Sequence, residues 1–171
     1  MASSVDKPRL VLRVGVAGAI KLTDDQRVQV ASRLSDVLGV LVRQIERLAP
    51  ASGVDAARPG ICSYYAQPSP NAAAGRPTLR LVSGLADGSD QIAFESLLAL
   101  EQCAAGGGDG ERAQARARFE LVAILPSDVA SFRDNSAVKH TRAFDALLAR
   151  CAYVLELDGI CPPESDDPGP A

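Results

Sequence analysis

A chain of 171 residues can form one domain with a sizeable core, and 47% of this chain is apolar. Aromatic residues make up only 4% and tryptophan is absent, so the core must be aliphatic, built from Leu, Val, Ile and Ala. A formal net charge of −3 excludes a broad electrostatic basis for binding nucleic acid or an anionic membrane.

The N-terminal stretch MASSVDKPRL has no apolar signal core, and no run approaches the ~18 apolar residues of a membrane span. The expectation is a cytoplasmic protein without membrane contact. Residues 10–17, LVLRVGVA, are β-branched and nearly continuously apolar, as in a strand covered on both faces. Gly18 ends the run. Thr23-Asp24-Asp25-Gln26 then reads as a capping box, in which Thr23 and Gln26 each satisfy an orphan amide. Leu34, Val37, Leu38, Leu41, Val42, Ile45 and Leu48 follow at helical period, and Pro50 closes the helix.

Residues 50–78 are rich in Pro, Ala, Gly and Ser, with ICSYYA (61–66) a candidate short edge strand. TLRLVSG (78–84) is the second clear strand, and a helix is expected from Asp90 to about Ala105. GGGDGERAQARAR (106–118) reads as a flexible connection whose arginines belong to a solvated face. FELVAILP (119–126) is a third strand stopped by Pro126. AFDALLARCA (143–152) is an amphipathic helix, and YVLELDG (153–159) a fourth strand. Strands alternating with helices imply a Rossmann-like, mostly parallel α/β sheet of four to five strands with helices on both faces. Residues 1–160 read as that single domain. Residues 161–171 read as a disordered tail, because PPESDDPGPA can neither pair in a sheet nor pack as a helix.

In an open parallel sheet, ligands bind outside the carboxyl ends of the strands, where connections diverge. Two turns lie at such ends, GVAGAIKL (15–22) and SGLADGSD (83–90). In each, a glycine admits a ligand close to the backbone, and the amides opening the next helix favour an anion. Gly15-x-x-Gly18 and Gly84-x-x-x-Gly88 are spacings that many strand-to-helix turns satisfy by chance, and neither is a GxGxxG or GK[ST] motif. Asp87 and Asp90 can cap the second helix, accept hydrogen bonds from ribose hydroxyls, or hold a metal ion. A phosphate beside both needs a counter-charge, and Lys21 is the nearest by topology.

LVSGLADGSDQIAFESLLAL resembles the signature of the SLOG superfamily, Rossmann-like domains named for their relation to Smf/DprA and LOG proteins. RVGVAGAIKLTDDQR is similar to the first strand and turn of that group, and FELVAILPSDVASF and FDALLARCAYVLELDG follow in the expected order. The likeness covers roughly residues 10–160. It implies a domain that binds a nucleotide or nucleotide-derived ligand as a sensor, of unspecified ligand identity. The matched positions are Gly15 and Gly18, flanked by Ala19 and Lys21, then Ser83, Gly84, Asp87, Gly88 and Asp90. Where bacterial members read Gly-His-Arg, this chain has Gly18-Ala19-Ile20, so an imidazole and a guanidinium are missing from the ligand side. Lys21 restores charge without a bidentate fork. Relatives also commonly continue past the fourth strand, so the chain reads as a truncated member. Its apolar sheet edge is left for a homo-oligomer or an effector domain to cover.

Two alternatives follow from the same likeness. A LOG-like hydrolase of nucleoside-monophosphate N-glycosidic bonds needs a GGxGT-type turn after a strand, whereas GGGDGE (106–111) follows a helix-like segment. A DprA-like single-strand DNA binder needs a basic groove with stacking aromatics, which an acidic chain with seven Phe and Tyr supplies poorly. Glu95 and Glu101 fit a solvated helix face, and His140, the single histidine, sits among polar neighbours as a surface residue. The cysteines, Cys62, Cys103, Cys151 and Cys161, form no CxxC pair and read as free thiols of a reducing compartment. No catalytic constellation or metal-ligand cluster is identifiable.

Overall fold

A computed structural model of the chain describes residues 8–48, 76–105, 117–134 and 138–159. Within them the elements run β1 (Val11–Gly15), α1 (Asp24–Leu48), β2 (Thr78–Ser83), α2 (Ser89–Ala105) and β3 (Arg118–Leu125). Then come α3 (Val129–Arg133), α4 (Thr141–Leu148) and β4 (Tyr153–Glu156). The four strands form one sheet in the order β1-β2-β3-β4, and every neighbouring pair is parallel. The Rossmann-like parallel α/β arrangement expected from the sequence is therefore present. The candidate strand 61–66, the glycine-rich connection and the tail lie outside the described residues.

Local chemistry starts and stops the helices. The capping box at α1 is closed as read: the Thr23 amide donates to Gln26 Oε1 at 2.9 Å, and the Gln26 amide to Thr23 Oγ1 at 3.3 Å. α2 buries Asp90, Gln91, Ile92, Ala93, Phe94, Ser96 and Leu97, nearly its whole first half. It lies between α1 and α4 and against β2 and β3, so it has little face left for water. The single turn of α3 was not expected. Asp128 caps it by accepting the Ser131 amide at 2.9 Å, and the same interactions with Ser131 hold the exposed Asp128 carboxyl below its ordinary pKa. α4 begins two residues earlier than its apolar pattern suggested and ends at Leu148, where a turn carries the chain into β4. Phe132 and Phe144, with ring centroids 5.9 Å apart, and an Arg133–Asp145 ion pair of 2.7 Å fasten α3 to α4.

The register shows which face of the sheet is packed. Leu12, Leu79 and Phe119 share one row, and Val14, Leu81 and Leu121 the next. These residues, with Ala123 and Leu125, belong to or pack on a single core cluster that also contains Leu38 of α1, Phe94 and Leu97 of α2, Phe132 of α3 and Phe144 of α4. All four described helices thus gather on one face, whereas helices on both faces were expected. Strand order explains it. When each crossover leads to the next strand in the same direction, right-handed connections put successive helices on the same side.

The other face carries Arg13, Arg80, Val82, Glu120, Val122, Ile124, Tyr153 and Leu155, none of them in the core cluster. Here Glu120, with a side chain only 5% exposed, is held by Arg80 at 2.7 and 3.0 Å, with Arg9 and Arg118 at 3.9 and 3.8 Å. A buried carboxylate tolerates this position only because the guanidinium is already in place. Arg80 also lies over the Tyr153 ring, 5.2 Å from its centroid.

One-sided packing has a measurable consequence. Leu81→Ala, at a fully buried site, is expected to cost about 2–5 kcal/mol in urea unfolding. Ile124→Ala, on the same sheet but facing away from the core cluster, is expected to cost less than about 1.5 kcal/mol. Equal losses at the two positions would contradict a core confined to the helix side.

Candidate functional site

The carboxyl ends of β1 and β2 bring the two glycine turns into direct contact. Ala19 places its carbonyl at the start of α2, where it accepts the Ser89 amide at 3.2 Å and the Ser89 hydroxyl at 3.0 Å. Both glycines at the crossing are required. A Cβ on Gly88, whose φ is +90°, would overlap the Ala19 carbonyl, and a Cβ on Gly18 would overlap the Ser89 hydroxyl. The first turn therefore lies across the second. Connections that leave the sheet on the same side do not part to form the crevice of a strand-order reversal, and no reversal occurs among the described strands.

The second turn is closed from inside as well. Asp90 is buried, 8% exposed, with its carboxylate turned toward the backbone amides of Gly84 and Ala86. Ser83 Oγ, also buried, leans toward this carboxylate but forms no hydrogen bond of regular geometry. Asp87, 4% exposed, accepts the Gln91 side-chain amide at 2.8 Å and the Lys139 backbone amide at 2.9 Å. It ties the turn to the segment before α4. Gln91 reaches the Leu85 carbonyl too, at 3.3 Å. Leu85 is fully buried with a φ of 60°, a left-handed backbone that costs a side-chain-bearing residue roughly 1 kcal/mol.

The sequence-predicted residues thus meet, but in different roles. Ser83, Gly84, Asp87, Gly88 and Asp90 form one turn, buried except for the half-buried Gly84, while Gly15, Gly18, Ala19 and Lys21 are exposed beside it. A Cβ on Gly15 would meet nothing within 4 Å. Residues that sequence reasoning missed are Ser89, Gln91 and Lys139. Ser89 and Gln91 lie within the motif, whereas the backbone amide of Lys139 left no trace in residue type. A cleft of about 210 Å³ lies at the opposite, amino ends of β3 and β4, lined in part by Glu101, Arg118, Glu120 and Arg150. None of the predicted residues lines it. An Arg150–Glu101 pair at 2.7 Å spans its charged side chains.

Fold and turns together define a Rossmann-like parallel α/β domain whose two strand-to-helix turns interlock. No protein-family model matches the chain, and no curated protein matches it. Among the described residues no group of three or more His, Cys, Asp or Glu could hold a metal ion, and no helix is long and apolar enough to cross a membrane.

Burial raises the pKa of Asp90 against the opposing help of Ser83 and the two amides. A carboxyl whose folded-state pKa lies above its unfolded value contributes stability that is present at low pH and lost as pH rises through the raised pKa. The stability of wild type relative to Asp90→Asn should therefore fall as pH climbs from the ordinary value of 3.8 through that window, then level off. A difference that is flat or grows with pH would contradict it. The two described thiols also separate. Cys103 is exposed, whereas Cys151 is half-buried, bonded to the Leu147 carbonyl at 3.4 Å, and pushed up to about 11 by burial. Peptide mapping after brief alkylation near pH 8 should find Cys103 labelled and Cys151 labelled only on unfolding. Equal labelling of the native protein would refute this.

Proposed function

We propose that the chain is a SLOG-like binding domain, a sensor for a nucleotide or nucleotide-derived anion. The ligand enters at the carboxyl ends of β1 and β2 by taking the place of the Ala19 carbonyl. One observation carries the reading: the N-terminus of α2 already presents two donors, the Ser89 amide and hydroxyl, to a single acceptor oxygen of the chain. A phosphate oxygen is the same kind of acceptor with more charge, so exchange would conserve the hydrogen bonds and gain the helix dipole. Lys21, exposed and two residues beyond Ala19, supplies the counter-charge. Asp87 and Asp90 keep the turn in shape and do not read ribose in this arrangement, because their oxygens are already engaged. The left-handed Leu85 and the buried Gln91 hold the turn rigid beneath the exchange. Displacement of the first turn is the signal: what the ligand moves is the segment between β1 and α1.

A thermal-shift series with mononucleotides, ADP-ribose and cyclic dinucleotides tests this. Only ligands bound to the native state raise the melting point, and a ligand at about 100 times its Kd should add roughly 5 °C or more. Lys21→Ala should weaken binding about five- to tenfold and leave the unliganded melting point unchanged. Gly84→Val should abolish binding, since a Cβ there already sits 3.4 Å from Asp90 Oδ2 and the added methyl groups would disturb the turn. Stabilisation by none of these compounds, or unchanged affinity in Lys21→Ala, would overturn the proposal.

A further inference from the structure

β4 ends the sheet in a form that invites a second copy. All four of its residues are exposed, and Tyr153, Val154, Leu155 and the following Leu157 are 55, 40, 52 and 47% exposed. Among the described residues no strand pairs with its outer side. Natural edge strands are protected by lysine, proline, a bulge or a covering element, and Tyr-Val-Leu-Glu carries no lysine or proline. The Ala152 amide points inward to the Leu121 carbonyl at 2.8 Å. Further along, the Leu157 amide donates to the Leu125 carbonyl at 2.9 Å, and Leu125 is the register partner of Glu156. Leu155 and Leu157 therefore turn their backbone groups toward β3 and, by alternation, Val154 and Glu156 turn theirs outward.

We propose that β4 is a self-association surface, on which two copies of the chain join antiparallel about a two-fold axis to make one continuous eight-stranded sheet. Three features favour a second copy over another occupant. With Val154 on the axis, the outward-turned Val154 residues of the two copies form the hydrogen-bonded pair, and on one face Tyr153 of each copy lies opposite Leu155 of the other. Both of those residues share the open face with Ile124, 37% exposed, so the apolar strips of the two copies join across the axis. Charge is also self-complementary. Arg150 lies in the turn before the strand and Asp158 follows it, both exposed, and antiparallel pairing brings the end that carries one toward the end that carries the other. Glu156 is not opposed by itself, because its oxygen accepts the Val129 amide at 3.1 Å and its cross-axis neighbour is Ala152. The geometry needs no ligand and is independent of the sensor reading.

The paired segment is short, so micromolar association is expected, and sedimentation equilibrium over about 1–500 µM reads it. Wild type should pass from monomer to dimer, and Leu155→Lys should weaken dimerisation at least tenfold with an unchanged circular dichroism spectrum. Arg150→Asp and Asp158→Arg should each weaken self-association at least fivefold. An equimolar mixture of those two variants should regain wild-type affinity, since each chain then restores both cross-axis pairs of the other. Rescue in the mixture separates a contact between copies from loss of the Arg150–Glu101 pair within one. The proposal is overturned by a monomer at every concentration, by a dimer indifferent to Leu155→Lys, or by no rescue in the mixture. It is equally overturned by outward-facing Val154 and Glu156 amides that are protected from exchange regardless of concentration, since the chain would then cover its own edge.

Discussion

A single carbonyl oxygen, that of Ala19, receives two hydrogen bonds from Ser89, seventy residues away in the chain. Each such bond contributes about 1 kcal/mol on its own. Their larger effect is geometric. They require the β1–α1 turn to cross the start of α2 at a distance that only Gly18 and Gly88 allow. Around that crossing, the Asp90 carboxylate faces the Gly84 and Ala86 amides, and Asp87 reaches across to Gln91 and Lys139. The result is a strand-to-helix junction whose Ser89 donors are both taken up by the chain itself. A ligand must therefore compete with an internal acceptor, and the displaced turn can report that competition.

The same strand order that stacks the turns also places the described helices on one side of the sheet. Leu79, Leu81, Leu121, Ala123 and Leu125 face the helices, while the opposite face mixes a buried Glu120–Arg80 pair with an apolar strip toward β4. The charged half tolerates no loss of one partner, since the remaining buried charge would be uncompensated. The apolar half ends at β4, on whose outer side no described strand pairs. The one-sided placement of the described helices and the contact between the two turns both follow from four parallel strands laid down in sequence order without a reversal.

Much of this fold was legible in the sequence because the relevant signals are local. β-branched runs marked β1, β2 and β3, the Thr23–Gln26 box marked the start of α1, and Pro126 marked the end of β3. α3 was missed because one helical turn of five residues carries no period, although Asp128 three residues before Ser131 is the capping signal that could have found it. Which face the helices occupy is a property of strand order, and hydrophobic pattern in one strand does not encode its neighbour. At the junction, residue types pointed to the two turns that meet, but not to what fills them. Asp87 and Asp90 are the residues expected to touch a ligand, and both are engaged by partners within the fold. The Ala19 and Lys139 contributions come from backbone atoms, which every residue carries and no composition reveals.

The most direct measurement follows the Ser89 amide by nitrogen–proton NMR during titration with the compound that most raises the melting point. The account predicts slow exchange of that amide in the free protein. On binding, its resonance should move strongly while residues 18–21 broaden or sharpen as the turn is released. A Ser89 amide that exchanges freely without ligand, or one that stays unperturbed while a ligand binds, would contradict the claim that the Ala19 carbonyl holds the ligand's place.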